Sequence, residues 1–374
     1  MNEANSVNYY GIENEFDRVL ETIPNFQSNR IDPFMADLIK MLNNFDIHLK
    51  QVEFDRLYRP GLSICECELD LKSFNKFILK LDKLESLSIK NLQFLVLDEE
   101  WPLDGETLLP QGLKELELGN MCLRRTDLHK NPYKFLFIDN SGFMNVYFYI
   151  PPQRLPNLKK LTVSKDTAFY SNYIPNLLDL NPQLTHVTFP YYYLSSCVGK
   201  YLNMPSNINE VQVVFKFENY DFRNFNITPL DSVNILSIKS INSNHYRKVY
   251  TLINLCPKLT KLHASFDYFD DEFIERLLRK LDHLKAIELE IGYFRLGKFD
   301  LSIFSNIESL RLNISSNQTI NYKLPAQPSK LKSIKISSDS YRESFNFMLK
   351  ECSSSPTWNI KLLGSVISCS AILT

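Results

Sequence analysis

Glycine is scarce in this chain, ten residues of 374, and the scarcity removes whole classes of chemistry. The phosphate-cradling loops G-x-x-x-x-G-K-[ST] and G-x-G-x-x-G are absent, as are the H-E-x-x-H zinc helix and the G-x-S-x-G nucleophile elbow. No cofactor and no resident metal are expected. Excess charge is missing too: 42 Lys plus Arg against 43 Asp plus Glu leave a net charge of -1, which gives no bulk attraction to nucleic acid or to an anionic membrane. No run approaches the roughly 18 to 20 apolar residues of a membrane helix, and the most apolar tail, LLGSVISCSAILT, is short and broken by Ser and Gly. The opening MNEANSVNYYGIENEFD lacks the basic start and apolar run of a secretory signal. Seven cysteines, an odd number spread from Cys65 to Cys369, fit reduced thiols better than a disulfide framework. These absences predict a soluble intracellular protein of cytoplasm or nucleus, so the glycosylation-type triplets at Asn226, Asn313 and Asn317 are read as chance.

What the chain does have is a period. The pattern apolar-x-x-apolar-x-apolar opens at Leu84, Leu113, Leu158, Leu184, Ile208, Val233, Leu259, Leu284, Ile307 and Leu331. From Leu158 onward the intervals are 26, 24, 25, 26, 25, 23 and 24 residues. Weaker copies are placed at Ile64 (ICECEL) and at Tyr133 (YKFLFI), the latter to close the wide gap between Leu113 and Leu158. Pro156, Pro182 and Pro257 stand two residues before the first apolar position, and Pro110, Pro205 and Pro328 stand three before it. Proline there halts any preceding helix and biases its neighbour toward extended backbone.

The alternating part of each copy, such as LTVS or IELEI, suits a strand with one buried face. Between strands lie helical patterns. DDEFIERLLRKLDH aligns Phe273, Ile274, Leu277, Leu278 and Leu281 behind an Asp270 or Asp271 cap, and HYRKVYTLINL aligns Val249, Leu252 and Ile253. Each period therefore reads as strand, turn, helix and return, a unit that buries its apolar face only by stacking on neighbours.

On this spacing the chain resembles the leucine-rich repeat proteins of the intracellular, helix-bearing type, with about ten to twelve degenerate repeats over residues 61–363. The resemblance implies an α/β leucine-rich repeat solenoid, a horseshoe with a concave parallel sheet and outer helices. Residues 1–60 lack the pattern. There DPFMADLIKMLNNFDIHL aligns Phe34, Leu38, Met41, Leu42 and Phe45 as an amphipathic helix, read as a helical N-terminal cap. At the far end YRESFNFMLKEC, with Ser340 and Glu343 as a capping box, followed by the strand TWNIKL, is expected to close the stack, leaving 364–374 as a tail.

Chemistry has little to stand on. Cys65 and Cys67 are spaced too closely for an ordinary zinc pair and lack a second pair, so they are read as structural. Cys256 with His263 would be a nucleophile pair only if the thiol, which precedes its strand beside Pro257, reached the same end of the period. The chain is read as non-catalytic.

Strand alternation instead points to a face. Residues between the apolar positions leave the core, and among them Glu117, Lys160, His186, Glu210, Lys261, His263, Glu288, Arg311 and Lys335 are the candidates for holding a polypeptide partner on the concave side. Tyr191, Tyr192 and Tyr193 in FPYYYLSSC are candidates for an aromatic surface, and equally for repeat core with one or two exposed rings. The mixed signs do not make a nucleic-acid groove. The principal expectation is a monomeric protein-interaction scaffold. Proteins similar in repeat type often carry an N-terminal F-box, and that resemblance implies the alternative: a substrate receptor of a cullin-type ubiquitin ligase, docked to its adaptor through ETIPNFQSNRIDPFMADLIKML. A hydrolase or transferase using His186 or His263 is a third reading.

Overall fold

All ten strong copies of the pattern become strands, each starting at its third residue, in the computed structural model of the chain. That structure describes residues 51–54, 68–81, 83–89, 92–96, 109–119, 121–125, 136–138, 144–147, 152–163, 173–191, 207–215, 229–294, 298–315, 320–327, 330–338, 357–364 and 366–372. The expected N-terminal cap helix, Cys65, Cys67, Tyr192, Tyr193 and the helix at YRESFNFMLKEC lie outside the described residues. No helix among the described residues is long and apolar enough to cross a membrane. The chain divides into two compact units, Met1–Phe189 and Pro190–Thr374.

In the first unit five strands lie side by side and parallel: β1 (Gln51–Phe54), β3 (Ser86–Ile89), β5 (Glu115–Leu118), β9 (Lys160–Val163) and β10 (His186–Pro190). A second sheet in this unit pairs β2 (Glu68–Asp70), β4 (Leu92–Val96) and β6 (Met121–Arg125) in parallel. Beyond β6, β8 (Met144–Tyr147) and β7 (Leu136–Ile138) continue it antiparallel. Two helices are described, α1 (Leu71–Lys80) and α2 (Tyr173–Leu180).

Two expectations are corrected here. The weak copies at Ile64 and Tyr133 do not join the main sheet, because their strands β2 and β7 belong to the second one and β5 pairs directly with β9. The main sheet begins earlier, at β1 in the segment assigned to the cap. LKQVEF, from Leu49, carries the same six-residue pattern. Local pattern cannot tell these apart, since any half-buried strand shows the same alternation.

In the second unit eight strands lie in the order β11 (Glu210–Val214), β12 (Ile235–Ile241), β13 (Lys261–Phe269), β14 (Ala286–Phe294), β16 (Ser309–Ile314), β18 (Ser333–Ser338), β20 (Val366–Ala371) and β19 (Trp358–Leu363). Those from β11 to β18 are parallel, and β20 and β19 form an antiparallel hairpin at the end. The expected tail is thus a strand of the sheet. VISCS alternates after all, with Ile367 and Cys369 buried and serines between, and Gly364 at φ 63° makes the turn that side chains with a Cβ rarely adopt.

Helices α3 (Tyr246–Asn254) and α4 (Asp271–Leu278) form as the spacing predicts. Asp270 caps α4 by accepting from the Phe273 amide at 2.9 Å, and Phe273, Ile274 and Leu277 are buried. Phe273 stacks on Tyr246 and meets Phe266 of β13 edge-on, so the two helices touch each other and α4 packs on β13. Not every period returns through a helix. After the nine-residue β14 the chain passes through β15 (Lys298–Asp300) and a single 3₁₀ turn, Leu301–Phe304, and β15 pairs with β17 (Asn321–Lys323) of the next period.

The entry to eight of these strands is described and is built the same way. The first apolar residue of the pattern donates its amide to the carbonyl three residues back, as in Leu158 to Leu155, Leu184 to Asn181 and Leu259 to Cys256. Pro156, Pro182 and Pro257 therefore occupy the second position of a four-residue turn, where a fixed φ is an advantage. Two successive amides then share one carbonyl of the preceding repeat: Lys159 and Lys160 on Lys114, Thr185 and His186 on Lys159, Lys285 and Ala286 on Thr260. All ten leading apolar residues are 4% exposed or less. In the first unit the buried Asn181 adds a brace: its Oδ1 accepts from the Leu155 amide at 2.7 Å, and its Nδ2 donates to the Gln153 and Leu177 carbonyls at 2.8 Å each.

Candidate functional site

Parallel pairing in strict register turns the residues between the apolar positions into rows. In the first unit one row runs Ser86, Glu115, Lys160, His186 and the next Ser88, Glu117, Thr162, Thr188. In the second unit they run Glu210, Ile235, Lys261, Ala286, Ser309, Ser333 and Gln212, Ser237, His263, Glu288, Arg311, Lys335. The nine predicted face residues are all half-buried or exposed while their strand neighbours are buried, and no described element packs over them. Adjacent rungs are separated by the strand spacing of about 4.8 Å.

In the first unit Ser88 donates to the Glu117 carboxylate at 2.8 Å, Lys160 lies 3.9 Å from Glu115, and His186 Nδ1 is 2.7 Å from the Thr185 hydroxyl. The second unit carries a network of its own. Glu288 is its hub, accepting from Asn313 at 3.1 Å with Arg311 at 3.6 Å and His263 Nε2 at 3.9 Å. Burial and the nearby Lys261 hold the His263 imidazole below its usual value of 6.5, with Glu288 pulling the other way.

A third row was not anticipated. Lys239 donates to both carboxylate oxygens of Glu290 at 2.9 Å across Ser265, and the row continues through Asn313 and Ser337. It exists because β12 to β18 continue past the six-residue pattern, a signal present in the further alternation of IELEI and LRLNI. Lys361 was also missed. It sits opposite Ser368, which sits opposite Lys335, so the hairpin extends the Arg311 row.

Tyr191 is not a surface residue. It is 1% exposed and packs on Phe215 with centroids 4.7 Å apart, so the aromatic-surface candidate at this position is withdrawn. Among the described residues the exposed tyrosines are Tyr268 and Tyr293, stacked across β13 and β14 and each 56% exposed. Cys256 is buried at the end of α3, and desolvation pushes its thiol up to about 12. A thiol held protonated in this way is a poor nucleophile, and His263 lies on β13 in the row with Ser237 and Glu288.

Comparison with protein-family models finds none that matches the chain, and no curated protein matches its sequence.

Proposed function

We propose that this chain is a leucine-rich-repeat-type binding module without catalytic activity, which holds a polypeptide on the uncovered face of its parallel sheet. The observation that carries this reading is the set of in-register polar rows, aligned by the backbone ladder over a buried apolar layer. The ladder would align the side chains of any such sheet; what favours binding is that these rows carry charged and polar groups of both signs side by side. Rigid presentation limits the conformational entropy lost when a partner docks. Periods of 23 to 26 residues, parallel strands and the repeated turn support the family resemblance. The solenoid path with helices on its outer side belongs to the same proposal.

The test inverts charges across the face of the second unit. A variant carrying Glu210→Lys, Lys261→Glu, Glu288→Lys, Arg311→Glu and Lys335→Glu is compared with the natural chain in affinity capture from native cells. Loss of co-purifying proteins with an unchanged thermal transition is the expected result. Identical capture by both proteins refutes the assignment of the interface to this face.

A further inference from the structure

We propose that the end of the second unit's uncovered face, formed by β16, β18, β20 and β19, recognises an acidic segment of the partner polypeptide. This rests on the binding-face reading above and adds the partner's chemistry. In order across these strands one row reads Arg311, Lys335, Ser368, Lys361. Arg311, Lys335 and Lys361 are exposed, and no carboxylate among the described residues comes within ion-pair distance of Lys335 or Lys361. Glu288 is the only carboxylate near Arg311 among the described residues, and it also accepts from Asn313.

Around the cations the side chains are short. Ser309 and Ser333 lie in the adjoining row, hydrogen-bonded to each other at 3.1 Å, and Ser370 continues it. Short hydroxyl side chains let a second backbone approach closely and offer donors to carboxylates, while the long cations reach up beside it. With strands about 4.8 Å apart, Arg311 and Lys361 are separated by roughly 14 Å, the length of about five extended residues. Two or three carboxylates within such a stretch complement the row.

A polypeptide fits better than nucleic acid. Three cations, one of them paired with Glu288, fall short of the roughly six to ten phosphate contacts of a strongly salt-dependent nucleic-acid footprint. The electrostatic contribution also makes binding faster and salt-dependent.

The test uses the full chain and a fluorescein-labelled deca-glutamate probe read by fluorescence anisotropy. The natural protein is expected to bind it more weakly as salt rises. The variant Arg311→Glu/Lys335→Glu/Lys361→Glu is expected to lose about ten-fold or more in affinity, since each exposed pair contributes modestly. A control variant, Lys258→Glu/Lys285→Glu/Lys330→Glu, alters lysines on the turns before the strands and is expected to bind normally. Thermal transitions verify that both variants fold. Absent binding, equal losses in the two variants, or tighter binding of deca-thymidine than of deca-glutamate each overturn the proposal. In cell capture, partner loss with the five-site face variant but not with the Arg311/Lys335/Lys361 variant defeats the acidic-segment proposal while the binding face stands.

Discussion

Replacing Asn181 by Leu tests whether repeats in the first unit are joined by side-chain hydrogen bonds as well as by apolar burial. Asn181 is 1% exposed, and its amide satisfies the Leu155 amide and the carbonyls of Gln153 and Leu177 at 2.7 to 2.8 Å. Leucine has the same branching and the same number of side-chain heavy atoms and is somewhat bulkier, so none of the cost is cavity. Three hydrogen bonds at about 1 kcal/mol net, plus about 1 to 2 kcal/mol for stranding the Leu155 amide in a dry site, total roughly 4 kcal/mol. That is a large share of the roughly 5 to 15 kcal/mol that holds a typical domain together. Urea unfolding followed by far-ultraviolet circular dichroism measures the total. Because stacked repeats can open in parts, hydrogen exchange at the Leu155 amide localises it, with protection expected to fall at least about a hundred-fold. A loss below about 1 kcal/mol, with Leu155 still protected, would refute the brace.

Two further outcomes follow from the second unit. His245 is buried, stacked on Phe215 with centroids 4.4 Å apart, and burial with the nearby Lys248 holds its imidazole below 6.5. The neutral form is favoured on folding. Its stability contribution is therefore present above the unfolded value of about 6.5 and is lost as pH falls through the depressed folded value. Thermal midpoints should drop between pH 7 and 5, and His245→Phe should flatten the slope, leaving the share from His263. An unchanged slope in that variant would defeat the assignment. Gly292→Ala should destabilise by about 1 to 3 kcal/mol in urea titration, since its new Cβ would lie 2.8 Å from the Asp267 carbonyl oxygen on the neighbouring strand; a neutral result would mean that β13 shifts freely.

Much of the second unit was legible because its intervals vary by at most three residues and apolar triples mark every strand. Alternation alone placed Glu288, Arg311 and Lys335 on one row, since register follows once each strand begins at the same point of the pattern. The first unit was harder. The Tyr133 copy and the Leu49 copy look alike in sequence, and only long-range pairing decides that the Leu49 copy enters the main sheet. The second strand of the hairpin was hidden by its serines, which break the apolar run of VISCSA, whereas its period-two burial identifies it as a strand. Tyr191 misled for the opposite reason, because an aromatic beside two other tyrosines reads as sticky while the ring fills space against Phe215. Asn181 had a visible signal, an Asn before the turn proline, although nothing in the sequence says that it reaches back 26 residues.

The direct pairing of β5 with β9 carries a lesson about tolerance to change. Residues 119–159 leave the main sheet and come back, yet Glu115 stands opposite Lys160 and Glu117 opposite Thr162, as they would after an ordinary period. What lies between two rungs is thus free to lengthen or diverge without altering a single rung. A foreign domain spliced into that excursion would leave the neighbouring rows untouched, whereas deleting one residue inside β9 would turn Thr162 inward and Leu161 outward. Loop length and face composition can therefore evolve, or be engineered, as separate variables.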